Sequence, residues 1–148
     1  MKLDFYSYPR NGYSEIQLQA ITRHLNLPDM MLPFWGHRKK VPLHCIVRLE
    51  GEGNYTLLHF SDGSRLMVSL TLKKMEERLS PSMFVRPHKK NIINLLYLQE
   101  IRPGKTMSVR LTNGDEVEVS RRKVSQFLQT VRTFQRELLP LTAMQASA

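Results

Sequence analysis

Cysteine is nearly absent from the chain: Cys45 is the only one among 148 residues. A lone cysteine excludes an internal disulfide framework and a multi-cysteine zinc site, and it suits a reducing compartment. No apolar run approaches the roughly 18 residues a transmembrane helix needs, and the opening MKLDFYSYPRNGY has no apolar core of a secretory signal. The expectation is a cytoplasmic protein with no membrane partner, in which the glycosylation triplet Asn54-Tyr55-Thr56 is idle. Catalytic signatures are missing too. There is no G-x-x-x-x-G-K-[ST], no G-x-G-x-x-G between strand and helix, no H-E-x-x-H and no G-x-S-x-G. His24, His37, His44, His59 and His88 are scattered, and no two share a metal-ligand spacing on one element. His44 and Cys45 are neighbours in an expected strand and so face opposite sides of it. No enzyme, metal or cofactor is expected.

Acidic residues are also scarce, with 13 Asp and Glu against 22 Lys and Arg, a net charge of +9. The excess lies in the body of the chain: residues 41–132 hold fifteen basic and nine acidic side chains, and residues 133–148 one of each. A surface of this sign attracts polyanions, nucleic acid among them.

The hydrophobic pattern supplies the elements. Ser14 with Gln17 forms a capping box, with Tyr13 placed to staple onto Leu18. A helix over 15–26 follows, with Leu18, Ile21 and Leu25 on one face and Pro28 closing it. Residues 32–40 mix breakers, aromatics and the basic Arg38-Lys39-Lys40, and read as a linker or arm. From Val41 the period becomes two, with Leu43, Cys45, Val47 and Leu49 on one face. Two more strands, from Asn54 to Phe60 and from Arg65 to Val68, complete an antiparallel meander. Ser69 is placed to cap a helix with the stripe Leu72, Met75 and Leu79, ending before Pro81. Residues 91–101 are β-like, and a hairpin over 107–119 turns at Asn113-Gly114 with Leu111 expected opposite Val117. Ser120 then precedes a helix to about Leu138, striped by Val124, Phe127, Leu128 and Val131 and stopped by Pro140.

Three polar clusters are candidates for binding. Gly51-Glu52-Gly53-Asn54-Tyr55 occupies a hairpin end, where ordinary turn chemistry is the more natural role and binding by Asn54 and Tyr55 the other. Arg86-Pro87-His88-Lys89-Lys90-Asn91 is a basic loop suited either to solvent or to phosphate. Arg121-Arg122-Lys123 is more telling, because cations in the first turn of a helix oppose its dipole by about 0.3 to 1 kcal/mol each. Helix N-termini bind phosphate through their free N–H groups, so adding cations there favours an anion partner.

These residues carry a family resemblance. Leu49-Glu50-Gly51-Glu52-Gly53-Asn54-Tyr55, then Ser69-Leu70, then Met83 through Asn94, then Val119-Ser120-Arg121-Arg122, stand in the order and spacing of the LytTR DNA-binding domain of bacterial transcription regulators. The resemblance spans residues 41 to about 135. It implies a mainly β fold of short antiparallel sheets with small helices, which presents loops to successive major grooves of duplex DNA. Here it would come with a C-terminal helix and an N-terminal amphipathic helix. Carried over by position, Asn54, Tyr55, His88, Lys89, Lys90, Arg121 and Arg122 are the expected DNA-binding residues, and Arg86 and Lys123 join them as members of the same basic clusters. One loop departs from the family, which usually has His-Arg-Ser or a close variant where this chain has His88-Lys89-Lys90-Asn91. Lysine is a point charge without the fork that grips guanine, so this loop is expected to favour phosphate over base edges.

The organisation expected is a helical extension with basic linker over 1–40, a DNA-binding domain over 41–138 and a loose tail over 139–148. Forty residues are too few for a receiver domain, so phosphorylation control within these residues is not expected. The leading function is a sequence-specific, double-stranded DNA-binding transcription regulator, with a homodimer through residues 14–27 as a further partner. An RNA-binding protein, or a protein-interaction module acting through the N-terminal helix, is the alternative; RNA readers usually expose several stacking aromatics, and only Tyr55 lies in a candidate loop.

Overall fold

The structure is a computed structural model that describes residues 13–25, 29–34 and 37–146. Helix α1 (Glu15–His24) begins at the expected capping box: the Gln17 N–H donates to Ser14 Oγ at 3.2 Å, and the Ser14 N–H donates to Gln17 Oε1 at 2.9 Å. It closes at Leu25, and Pro28 lies outside the described residues. Ile21 is 1% exposed, with Tyr13, Leu18 and Leu25 packed partly buried against the same core.

Residues 32–34 and 37–40, read from sequence as part of a linker or arm, belong instead to paired strands: β1 (Asp29–Phe34) pairs antiparallel with β2 (His37–Pro42). Alternation explains the difference, because Met30, Leu32 and Val41 turn into the core while Met31, Arg38 and Lys40 stay outside. Of the breakers that suggested a linker, Pro33 sits near the end of β1 and Gly36 lies outside the described residues.

Leu43–Cys45 form a 3-10 turn rather than the start of a strand. Tertiary bonds override the local alternation there, since the Ser61 N–H donates to the Cys45 carbonyl and the Tyr97 hydroxyl to the His44 carbonyl. Strands β3 (Ile46–Glu52), β4 (Tyr55–Phe60) and β5 (Arg65–Val68) form the expected meander. Helix α2 (Leu72–Arg78) buries Leu72 and Met75 as read, but its cap is Thr71, whose hydroxyl accepts from the Lys74 N–H at 3.2 Å, and not Ser69. Strands β6 (Phe84–His88) and β7 (Asn91–Asn94) complete a five-stranded antiparallel sheet in the order β5-β4-β3-β7-β6.

A second sheet, ordered β10-β9-β8, contains β8 (Leu98–Arg102), β9 (Ser108–Leu111) and β10 (Glu116–Glu118). Its hairpin register differs from the expected one. Arg110 lies opposite Glu116 and Val109 opposite Val117, and the Leu111 N–H donates to the Asp115 carbonyl at 2.8 Å. The loop is Thr112-Asn113-Gly114, with Gly114 at φ +93°. Leu111 and Val117 still share the buried face, because the pairing slipped by two residues and face assignment has period two.

Helix α3 (Val124–Ala146) closes the fold with Phe127, Leu128, Val131 and Phe134 buried. It does not stop at Pro140 but runs past it, forgoing the one hydrogen bond that proline cannot donate. Helix α1 packs on α3. The stripe of Leu18, Ile21 and Leu25 packs against its own chain, so its need for cover no longer argues for pairing two protomers through residues 14–27. Among the described residues, no helix is long and apolar enough to cross a membrane.

Candidate nucleic-acid interface

Strand directions bring the three basic and polar clusters together. β3 and β7 are antiparallel with Glu50 opposite Asn91, so the β3–β4 turn and the β6–β7 turn emerge at the same end of the sheet. The Gly51 N–H donates to the Lys90 carbonyl at 2.8 Å, stitching one turn to the other. Gly51 suits this close approach: a Cβ there would meet Leu72 Cδ2 at 3.4 Å. Glu52 lies opposite Tyr55, which leaves Gly53 and Asn54 as a two-residue turn with Gly53 at φ +62°.

The third cluster is tied to the same end through Pro87. A proline has no N–H for the ladder and is tolerated on an edge strand or at a bulge; β6 is an edge strand, and its register shifts between Val85 and His88. The Pro87 carbonyl accepts the Ser120 N–H at 2.8 Å, and the Arg86 carbonyl accepts Lys123 Nζ at 2.9 Å. Arg121–Lys123 form a 3-10 turn ahead of α3, and Ser120 makes no side-chain capping bond. The cations thus precede the α-helix instead of occupying its first turn.

The nine residues expected from sequence divide into two groups. Asn54, Tyr55, Lys89, Lys90, Arg121 and Arg122 are exposed, Tyr55 at 52%. Arg86, His88 and Lys123 are half-buried and committed to the backbone of the turn. Arg86 donates to the Lys89 carbonyl at 2.6 Å and reaches Glu76 at 3.4 Å; His88 Nδ1 accepts the Lys90 N–H at 3.3 Å. Arg86 and His88 therefore fix the path of residues 88–90, with Lys123 holding the Arg86 carbonyl just before it, and Lys89 and Lys90 are left exposed.

A polar network supports the interface from behind, and sequence reasoning missed it. Arg48, 14% exposed, donates to Asp115 Oδ2 at 2.8 Å and to Asn91 Oδ1 at 2.9 Å, and lies 3.5 Å from Glu50. Glu50 also meets His59 Nε2 at 3.1 Å, so His59 faces a carboxylate on its own sheet. Burial raises the Asp115 pKa, but hydrogen bonds from Arg48 and Asn113 outweigh it and hold the carboxyl below the usual range. An arginine inside an alternating strand was the available signal, since a long cation on a sheet face beneath a second sheet needs an acid partner. Cys45 shows no sign of activation: burial and then the Glu15, Asp62 and Asp29 carboxylates push its thiol pKa up.

The family model of the LytTr DNA-binding domain matches residues 37–132, and the chain belongs to the LytTR DNA-binding domain family. Members of this family are DNA-binding domains of bacterial transcription regulators. The chain is 37% identical over 70 residues to the sensory transduction protein LytT of Enterococcus faecalis, a match covering 46% of this chain and 29% of that protein. It is 30% identical over 89 residues to the heme-containing CO-sensing transcriptional regulator RcoM 2 of Paraburkholderia xenovorans, covering 58% of this chain and 33% of the relative. The matches thus span about a third of these relatives. In fold it is similar to the LytTr DNA-binding domain of a methyl-accepting/DNA response regulator from Bacillus cereus, with a TM-score of 0.61 at 23% identity, over 70% of this chain and 96% of that one.

Proposed function

We propose that this chain is the DNA-reading part of a transcription regulator, and that it binds duplex DNA sequence-specifically through the end of the molecule where the β3–β4 turn, the β6–β7 turn and the 121–123 turn meet. The observation that carries this reading is the convergence of six exposed polar and basic side chains on a backbone pinned by Gly51, Arg86, His88, Ser120 and Lys123. Pre-set contacts cost little ordering entropy on binding. Lys89, Lys90 and Arg121 supply phosphate contacts, and Asn54 and Arg122 carry the planar groups suited to base edges: Asn to adenine, Arg to guanine. Arg86, His88 and Lys123 hold the turn and do not themselves reach DNA.

Selection from random duplexes with the purified chain tests this reading. The expected result is a defined motif whose binding weakens steeply between 50 and 200 mM salt, as phosphate contacts require. Recovery of no motif, or tighter binding to single-stranded RNA than to the duplex pool, would overturn it.

A further inference from the structure

A cavity of about 200 Å³ lies beside β6, between α2 and the start of α3. Its apolar lining includes Phe84, Pro87 and Phe127, all buried. Its charged lining is predominantly positive, with Arg86 and Lys123 set against the single acid Glu76. Both cations have donors to spare. Arg86 gives one Nη to the Lys89 carbonyl at 2.6 Å, but its other Nη reaches Glu76 only at 3.4 Å, and its Nε is buried with no hydrogen-bond partner among the described residues. Lys123 spends one bond on the Arg86 carbonyl at 2.9 Å, out of the three an ammonium can donate. The Glu76 side chain is 48% exposed and meets only Arg86, so it does not neutralise both.

An aromatic floor under an unsatisfied positive rim is the complement of a small molecule that is apolar at one end and anionic at the other, since pockets hold a ligand by apolar walls and orient it by a few polar groups. Size narrows the choice. A cavity of about 150 Å³ accepts benzene, so this one has room for a single ring with a carboxyl, and it falls short of the roughly 300 Å³ at which sites for drug-sized ligands begin. Arginine in particular suits a carboxylate, which its planar donors can match.

We infer that this cavity is an effector site for a small aromatic carboxylate, whose ring lies on Phe84 and Phe127 and whose carboxylate bridges Arg86 and Lys123, and that its occupancy strengthens DNA binding. The coupling follows from the bonds the ligand leaves alone. It takes spare donors, so Arg86 keeps the Lys89 carbonyl and Lys123 keeps the Arg86 carbonyl. The bridge ties the β6–β7 turn to the 121–123 turn once more. Restraint in place before DNA arrives lowers the ordering cost of binding, and by linkage DNA tightens the ligand by the same factor. The coupling rests on the function proposed above, whereas binding of the carboxylate does not.

The probe is benzoate, titrated into the full chain at fixed ionic strength, with benzamide as the neutral control and acetate as the control without a ring. Benzoate should shift the amide resonances of Arg86, Lys123 and Thr130, which all line the cavity, and the shifts should saturate in the millimolar range, where neither control produces them. Glu76→Gln removes the competing acid and should tighten benzoate several-fold. Thr130→Leu fills the cavity and should abolish the shifts, with the DNA motif and the affinity measured without benzoate unchanged. Saturating benzoate should raise wild-type affinity for the selected duplex about fivefold, at the lower end of common couplings, and leave Thr130→Leu unaffected. Absence of saturable shifts, equal shifts with benzamide, or shifts that persist in Thr130→Leu would overturn the site; the controls and Glu76→Gln decide it even where Thr130→Leu does not fold. Benzoate that saturates a wild type binding its motif, with DNA affinity unmoved or lowered, would overturn the effector role. A wild type with no duplex preference would instead remove the functional reading and the coupling with it, while saturable benzoate binding would still support the site.

Discussion

Charge at a position says little about where a side chain spends its hydrogen bonds. Arg86 and Lys90 are four residues apart in one basic loop, yet the first donates to the Lys89 carbonyl while the second is exposed. Their substitutions should therefore be distinguishable. Lys90→Ala should weaken all duplexes alike and lower the salt slope by about one unit. Arg86→Ala should also weaken binding, by freeing the turn, but with the salt slope unchanged because no phosphate contact is removed; a titration series in salt separates the two. Arg122 makes a third case. As an exposed guanidinium at the start of the 121–123 turn and its following helix, it can fork onto guanine. Arg122→Ala should cost about 1 to 3 kcal/mol of discrimination between the selected motif and random DNA, whereas equal loss on both would assign it to phosphate. The six exposed residues were legible from sequence because motif and solvent exposure coincide at turns. The commitment of Arg86, His88 and Lys123 was not, because it depends on carbonyls brought near only by the fold.

Elements with strong local signals appear where the pattern puts them: the capping box of α1, the apolar stripe of α2 and the meander from β3 to β5. The misread elements have two causes. In the β1–β2 hairpin a local alternation was masked by breakers, whereas the 3-10 turn at Leu43–Cys45 and the hairpin of β9 with β10 are tied to partners distant in the chain, Ser61 and Tyr97 for the first and Arg48 for the second. The β9–β10 hairpin is anchored by Asp115, which leaves its own hairpin to meet Arg48 on β3. That bond makes the docking of the second sheet pH-dependent in a definite direction. The Asp115 pKa is lowered in the folded state, so its contribution is fully present above the unfolded value near 3.9 and is lost as pH falls through the folded value. Asp115→Asn should lower stability by about 1 kcal/mol for this partly exposed pair. Denaturant melts should show the deficit constant from pH 7 to pH 5 and vanishing under more acidic conditions. A deficit that persists undiminished at pH 2 would mean that shape, and not charge, holds the hairpin.

For the molecule as a whole, the N-terminal helix decides whether the chain binds as one compact body or needs a second copy to cover it. An isolated helix of ten residues is marginal in water, so α1 must dock; in the structure it docks on α3, with Ile21 buried at 1% exposure. α3 in turn packs against β6 and follows directly from the 121–123 turn, so α1 buttresses the helix that continues from one of the turns proposed to bind DNA. Truncating Ile21 leaves a cavity among side chains that relax only partly, at about 2 to 5 kcal/mol for a change of this kind. Ile21→Ala should therefore lower the melting temperature without changing the sedimentation coefficient, and at a temperature where it stays folded it should keep the wild-type DNA motif. Ile16, on the same helix but 69% exposed, is the control: Ile16→Ala should leave stability within about 0.5 kcal/mol of wild type. The dimer alternative reverses both expectations. If α1 joined two copies, Ile21→Ala would shift sedimentation towards a smaller species in a concentration-dependent way while barely changing the melt of the dissociated chain. Sedimentation velocity and thermal melts on the two variants, run over the same concentrations, decide between an internal strut and an interface.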